Sequence, residues 1–244
     1  MADIQGEGGR LSRAVLVGIV GGICTGKSTV AGEFAKTGIP VISGDEMGHL
    51  TLEDEGVVKS ITSKFGKGII TSEGRVDRTK LSDIVFSDRN KLRMLNDIIA
   101  RPIIEGISRK IRETEGRGDE LIVVDAALIY EWGIEENYDI IIMMIAHSER
   151  RLRWVIERFN IDNAGAKRRL EIHREIENRI LLSKRLPDYI ISNDGDLSLL
   201  RERAKSIIKE VILLSELYSK GLVKDIGGAQ DKGLQRKMRK NPRA

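Results

Sequence analysis

The amino-acid sequence points to an α/β fold in which a five-stranded parallel sheet is flanked by helices. Three observations carry this reading. Short unbroken apolar runs rich in Ile and Val lie at 14–20, 38–42, 121–124, 140–146 and 189–191. Such runs are the mark of parallel strands buried on both faces. Helical spans separate them, which supplies the crossovers that parallel pairing needs. Between the first run and the first helix stands Gly21-Gly22-Ile23-Cys24-Thr25-Gly26-Lys27-Ser28-Thr29, which fits G-x-x-x-x-G-K-[ST], the Walker A phosphate loop.

Each residue type in that loop suits polyphosphate chemistry. The glycines let the backbone bend until several N–H groups face one centre, and a helix starting near Lys27 adds its positive end. Lys27 would carry charge to the β- and γ-oxygens, and the Ser28 hydroxyl would hold Mg²⁺. The expected nucleotide-binding set is Gly22, Cys24, Thr25, Gly26, Lys27, Ser28 and Thr29. Cys24 is either a thiol activated by Lys27 and the helix terminus or a small residue filling a slot; the second reading is preferred.

The first helix is expected over 27–37 and the second strand over 38–42. That strand runs into Ser43-Gly44-Asp45, at the sheet end where ligands of such folds sit. Asp45 could take a proton from an attacking hydroxyl or help hold Mg²⁺; equally, it could cap the helix that follows. Residues 45–118 are mostly helical in pattern, far longer than a plain crossover, and are expected to build a substrate-side subdomain. Within them Pro102 is expected to start or kink a helix. Asp125, directly after the run 121–124, has the form of a Walker B aspartate, with a simple turn residue as the alternative.

Residues 148–186 form a second, arginine-rich excursion with the character of a lid. Guanidinium forks there could reach a phosphoryl group in transfer, although most will pair with glutamates at helical spacing. Apolar residues from Leu197 to Leu214 recur at helical spacing, and Gly221 supplies the stop.

Composition excludes several classes. The chain has 244 residues, 41% hydrophobic and 32% charged, which allows one generous core with an appended subdomain. Aromatic residues make up 4%, too few for a base-stacking nucleic-acid platform. From Gly228 onward six basic residues stand against Asp231, so this segment carries +5. The whole chain carries +4, which leaves residues 1–227 near −1. Residues 1–13 and 228–244 are expected to be disordered, leaving 14–227 as the folded domain. A lone cysteine permits no intrachain disulfide, no secretory signal is visible, and no run is long enough to span a bilayer. The expectation is a cytoplasmic protein without membrane or nucleic-acid partners. His49, His147 and His173 make no metal-ligand spacing.

Taken together the motifs resemble the dephospho-coenzyme A kinase family, a group of P-loop kinases, from about Val17 to Gly195. The first strand and phosphate loop look like that family's opening, and residues 40–50 are similar to its Asp-Ala-Asp-x-x-x-[HR] segment. Residues 73–81 and 84–88 resemble its Asp-Gly-x-Leu-Asp-Arg…Val-Phe stretch, Leu128 to Glu131 its Pro-Leu-Leu-Phe-Glu, and Asp188 to Asn193 its closing Ala-Asp-x-x-Ile-x-Asn. The resemblance implies transfer of the γ-phosphate of ATP to the 3′-hydroxyl of dephospho-CoA, with Mg²⁺. It implies Lys27, Asp45 and Arg158 as catalytic residues, with Asp45 as base. Asp45, Asp77 and Arg78 would bind the acceptor, and Ser28 and Asp125 the metal. Departures stand at Arg101 for histidine, Ala127 for proline, Arg151 and Glu177 for two lid glutamines, and Phe159 for aspartate; Cys24 replaces a loop glycine. Two alternatives remain beside this reading. One is another small-molecule or nucleotide kinase on the same scaffold, and the other a nucleotide-binding regulator that has lost transfer.

Overall fold

In the computed structural model, residues 13–223 and Ile226 are described; the expectations for the first twelve residues and for 228–244 fall outside them. Five parallel strands form one sheet: β1 (Val15–Gly21), β2 (Val41–Ser43), β3 (Leu121–Asp125), β4 (Ile140–Ile145) and β5 (Tyr189–Ser192). Their order is β2-β3-β1-β4-β5, so the chain reverses direction of travel beside β1. All seven residues of β1 are buried, as expected for a central strand covered on both faces. On one face Val17, Ile19, Ile140 and Ile142 pack with Phe34 and with Ala204 and Val211 of the last helix. On the other, Val20, Ile122, Val124 and Ile141 meet Ile103, Ile107 and Ile180. Each such fully buried aliphatic side chain contributes on the order of 2 kcal/mol.

Helix α1 (Lys27–Ala35) is shorter than expected. It ends where Gly38, at φ 86°, turns the chain in the left-handed region, and β2 begins only at Val41. Helix α2 (Gly44–Thr51) starts directly from β2. The excursion that follows is helical as expected: α3 (Glu55–Phe65), α4 (Arg78–Ser87) and α5 (Arg89–Glu115), with their own small core of Val57, Ile61, Ile69, Leu81 and Val85. Helix α5 serves two cores, Leu95 in the subdomain and Ile103 and Ile107 on the sheet.

Pro102 starts no new helix; it lies inside α5, which runs on through it. A proline there forfeits one backbone hydrogen bond. Burial of Ile103 and Ile107 against the sheet, just beyond it, keeps the helix in register. Helices α6 (Ser148–Phe159) and α7 (Asn163–Leu182) make up the arginine-rich excursion, joined by a turn in which Asn160 takes φ 48°. Helix α8 (Leu197–Ser219) closes the described fold, and Gly221 ends it at φ 68°.

Candidate active site at the phosphate loop

The loop between β1 and α1 owes its shape to three residues at its ends. Gly26 caps α1 in the left-handed region, at φ 96° and ψ 14°, and offers no side chain to the first-turn N–H groups. Those donors, with the positive end of the helix, are left for an anion. At Gly21 a Cβ would collide with the Met144 carbonyl oxygen, so β4 presses on the loop's entry. Gly22 holds the loop closed: its carbonyl oxygen accepts from the Thr25 hydroxyl at 3.0 Å and from Lys27 Nζ at 2.9 Å. Thr25 is wholly buried, so its hydroxyl serves the loop itself. Cys24 adopts φ 55°, a conformation that a glycine takes at no cost. Burial pushes its thiol pKa up against the opposing pull of Arg158, Lys27 and Arg151, which fits the slot-filling reading.

The carboxylates arrive from neighbouring strand ends. Ser43 on β2 pairs with Asp125 on β3, and Asp125 pairs with Ile19 on β1, so the three C-terminal ends lie side by side. Ser43 is the N-cap of α2, its Oγ accepting from the Glu46 N–H at 3.2 Å. Asp45 is therefore not the cap; it stands in the first turn, exposed. Gly44 permits this arrangement, since a Cβ there would sit 2.8 Å from Ala126 Cβ. The Asp125 pKa is raised by burial first, with Asp45 adding to the rise and Lys27 and Ser28 opposing it. Burial in turn pushes the Lys27 pKa down, against the attraction of Asp125 and Asp45. One ammonium group and two carboxylates thus share a single electrostatic site.

These residues open into a cleft of about 1010 Å³. Cys24, Thr25, Gly26, Lys27, Ser28 and Thr29 form one wall; Asp45 stands on another. Arg158 also lines the cleft, close enough to Cys24 to pull its pKa down, while Arg150, Arg153, Trp154 and His173 complete that side. Burial lowers the His173 pKa to about 3, and the nearby cations Lys27, Arg151 and Arg169 contribute to that fall, so the ring is neutral. Asp77 and Arg78 lie outside this cleft. Asp77 caps α4 by accepting from the Lys80 N–H at 3.1 Å, and Arg78 is 4.0 Å from Glu53.

Some residues at the site carried no role in the sequence reading. Asn193, just past β5, donates from Nδ2 to the Thr25 carbonyl oxygen at 3.2 Å and is 8% exposed. Replacing it by alanine is expected to lower stability by about 1–2 kcal/mol, because the Thr25 carbonyl is left buried without that donor. Urea unfolding of Asn193→Ala against the parent checks this; an unchanged midpoint would show that the contact contributes nothing. Arg151 and Glu177 also meet the loop.

Sequence comparison places these features in a known group. The family model described as dephospho-CoA kinase matches residues 15–198, most of the chain. The chain belongs to the dephospho-CoA kinase family. Its similarity to the dephospho-CoA kinase of Aquifex aeolicus is 33% identity over 199 residues, covering 80% of this chain and 96% of that one. The Arabidopsis thaliana dephospho-CoA kinase is 31% identical over 197 residues, covering 80% and 83%. Among solved structures, TT1252 from Thermus thermophilus superposes with a TM-score of 0.64 at 24% identity, covering 81% of this chain and 98% of that one. The dephospho-CoA kinase from Campylobacter jejuni gives 0.57 at 24%, covering 80% and 96%. Both likenesses speak to the fold, a P-loop kinase sheet flanked by helices. No helix among the described residues is long and apolar enough to cross a membrane.

The donor set also suits Mg²⁺. Among the described residues no three His, Cys, Asp or Glu side chains gather as a metal cage. Mg²⁺ at phosphotransfer sites takes one or two protein oxygens and leaves its remaining positions to water and phosphate. Ser28 and Asp125, near enough for Ser28 to pull on the Asp125 pKa, offer such oxygens beside the loop.

Proposed function

We propose that this protein transfers the γ-phosphoryl group of ATP to the 3′-hydroxyl of dephospho-CoA, yielding coenzyme A and ADP. The observation that carries the transfer reading is the meeting of Lys27, Asp45 and Arg158 around one cleft at the carboxyl end of the sheet. Family membership supplies the acceptor.

The triphosphate would lie along the loop, its oxygens taking the N–H groups that Gly26 leaves uncapped. Lys27, now bonded to the Gly22 carbonyl, would turn to the β- and γ-oxygens. Ser28 and Asp125 would hold Mg²⁺, which when bound neutralises phosphate charge. Asp45 orients the acceptor hydroxyl and takes its proton as the oxygen bonds to the γ-phosphorus. The bond to the β–γ bridging oxygen breaks, and its electron pair leaves with ADP. Arg158 stabilises the equatorial oxygens from the lid side. Catalysis on this scheme is positioning and electrostatics. Cytoplasmic residence accords with such chemistry and with a single, partly buried thiol.

A coupled assay for ADP release tests the acceptor. With ATP and Mg²⁺, turnover is expected with dephospho-CoA and not with nucleosides or nucleoside monophosphates. Turnover of the nucleotides alone would establish a different kinase on this scaffold, and nucleotide binding without transfer a regulator.

A further inference from the structure

Two lid residues brace the phosphate loop from outside the cleft. Arg151, on α6, donates from Nε to the Ile23 carbonyl oxygen at 3.1 Å. Glu177, on α7, accepts from the Gly22 N–H at 3.1 Å. The two are ion-paired, with Arg151 Nη1 2.8 Å from one carboxylate oxygen and 3.0 Å from the other. Their side chains are 8% and 16% exposed, and neither lines the cleft. The remaining donor, Arg151 Nη2, is buried without a hydrogen-bond partner beside Gly22, where even a Cβ would collide with it. Gly22 is thus a node. Its N–H is held by the lid, and its carbonyl oxygen by Lys27 and Thr25.

Both helices of the lid therefore rest on the same stretch of the loop through one charge pair. A buried ion pair of this kind has a characteristic response to mutation. Removing one partner strands the other charge, whereas neutralising both costs far less. Here the stranded charge would face a triphosphate. A bare Glu177 carboxylate next to Gly22 repels it; a bare Arg151 does not, so the two single losses are unequal.

We propose that Arg151 and Glu177 act together as positioning residues: an ion-paired brace that seats the lid on the phosphate loop and sets the loop's affinity for nucleotide. This rests on the loop being the nucleotide site, as argued above. The requirement is for the matched pair, not for either charge alone.

The test is a double-mutant cycle on the full chain with Arg151→Gln, Glu177→Gln and the double variant, read by calorimetry with Mg²⁺-ATP. Arg151→Gln is expected to weaken binding roughly 30-fold or more and Glu177→Gln about 10-fold, whereas the double variant recovers to within about 3-fold of the parent. In steady-state assays the KM for ATP rises in Arg151→Gln while the KM for dephospho-CoA holds. Additive losses, with the double variant as weak as the product of the singles, would overturn the brace. Should Arg151→Gln fail to fold, the comparison of Glu177→Gln with the double variant decides: a double variant that binds no better refutes the pairing. The parent separates this from the functional reading. If it binds no Mg²⁺-ATP the phosphate-loop assignment fails, and if it binds while the cycle is additive only the brace fails.

Discussion

Lys27→Ala is expected to reduce phosphoryl transfer at least ~10³-fold, a loss of about 4 kcal/mol in transition-state stabilisation. The ammonium group is the one lysine charge within the loop motif, and two carboxylates, Asp125 and Asp45, already draw on it. Removing it leaves those carboxylates to repel the phosphates they stand beside. Binding of Mg²⁺-ATP is expected to fall with turnover, because Lys27 acts on ground-state and transition-state oxygens alike. The fold is expected to survive, since burial already disfavours the charged form of this side chain. Calorimetry and an ADP-release assay on protein with an intact thermal transition would check the result. Turnover within tenfold of the parent would remove the loop from the mechanism.

Asp45→Asn gives the second large effect, and it separates chemistry from binding. A drop in kcat of about 10²–10⁴ is expected, the range for loss of a general base. Affinity for Mg²⁺-ATP stays within a few-fold, since the amide keeps the shape of the carboxylate and Ser43 keeps the cap. Asparagine can still accept a hydrogen bond from the acceptor hydroxyl but cannot take its proton at neutral pH. Single-turnover measurement at saturating substrates is the discriminating experiment. A normal kcat would transfer the role of base to another group.

Much of this site was legible in the sequence, because its strongest signals are contiguous. Nine consecutive residues, Gly21 to Thr29, carry the loop. Asp45 and Asp125 each sit at the end of an apolar run, and a parallel sheet gathers strand ends at one edge. Whether Asp45 caps the helix also had a local answer. Ser43 followed by Glu46 at the third helical position is the pattern of a capping box, which assigns the cap to Ser43. The backbone of Cys24, at φ 55°, adopts the form suited to the glycine that the family resemblance places there.

Other features could not be read that way. Asp77 looks like a binding residue by resemblance, yet its carboxylate accepts from the Lys80 N–H three residues on, and it lies outside the cleft. Phe159, where the family pattern has aspartate, packs its ring against the Arg169 guanidinium at 4.6 Å. The same guanidinium lies 4.5 Å from the ring of Phe86 on α4, so an arginine of α7 is stacked onto the small helical subdomain. Phe159 looked isolated along the chain and acquires these partners only in space.

Hydrophobic period and near neighbours along the chain were enough to establish the parallel sheet, the nucleotide loop and the helical character of both excursions. That two departures, Arg151 and Glu177, are one ion pair resting on Gly22 and Ile23 emerges only from the folded arrangement. They lie 128 and 155 residues from the loop atoms they hold, and no local pattern encodes a contact across that distance. Packing of α6 and α7 against the loop creates it, and the low dielectric of that buried seam makes the pairing of the two charges matter.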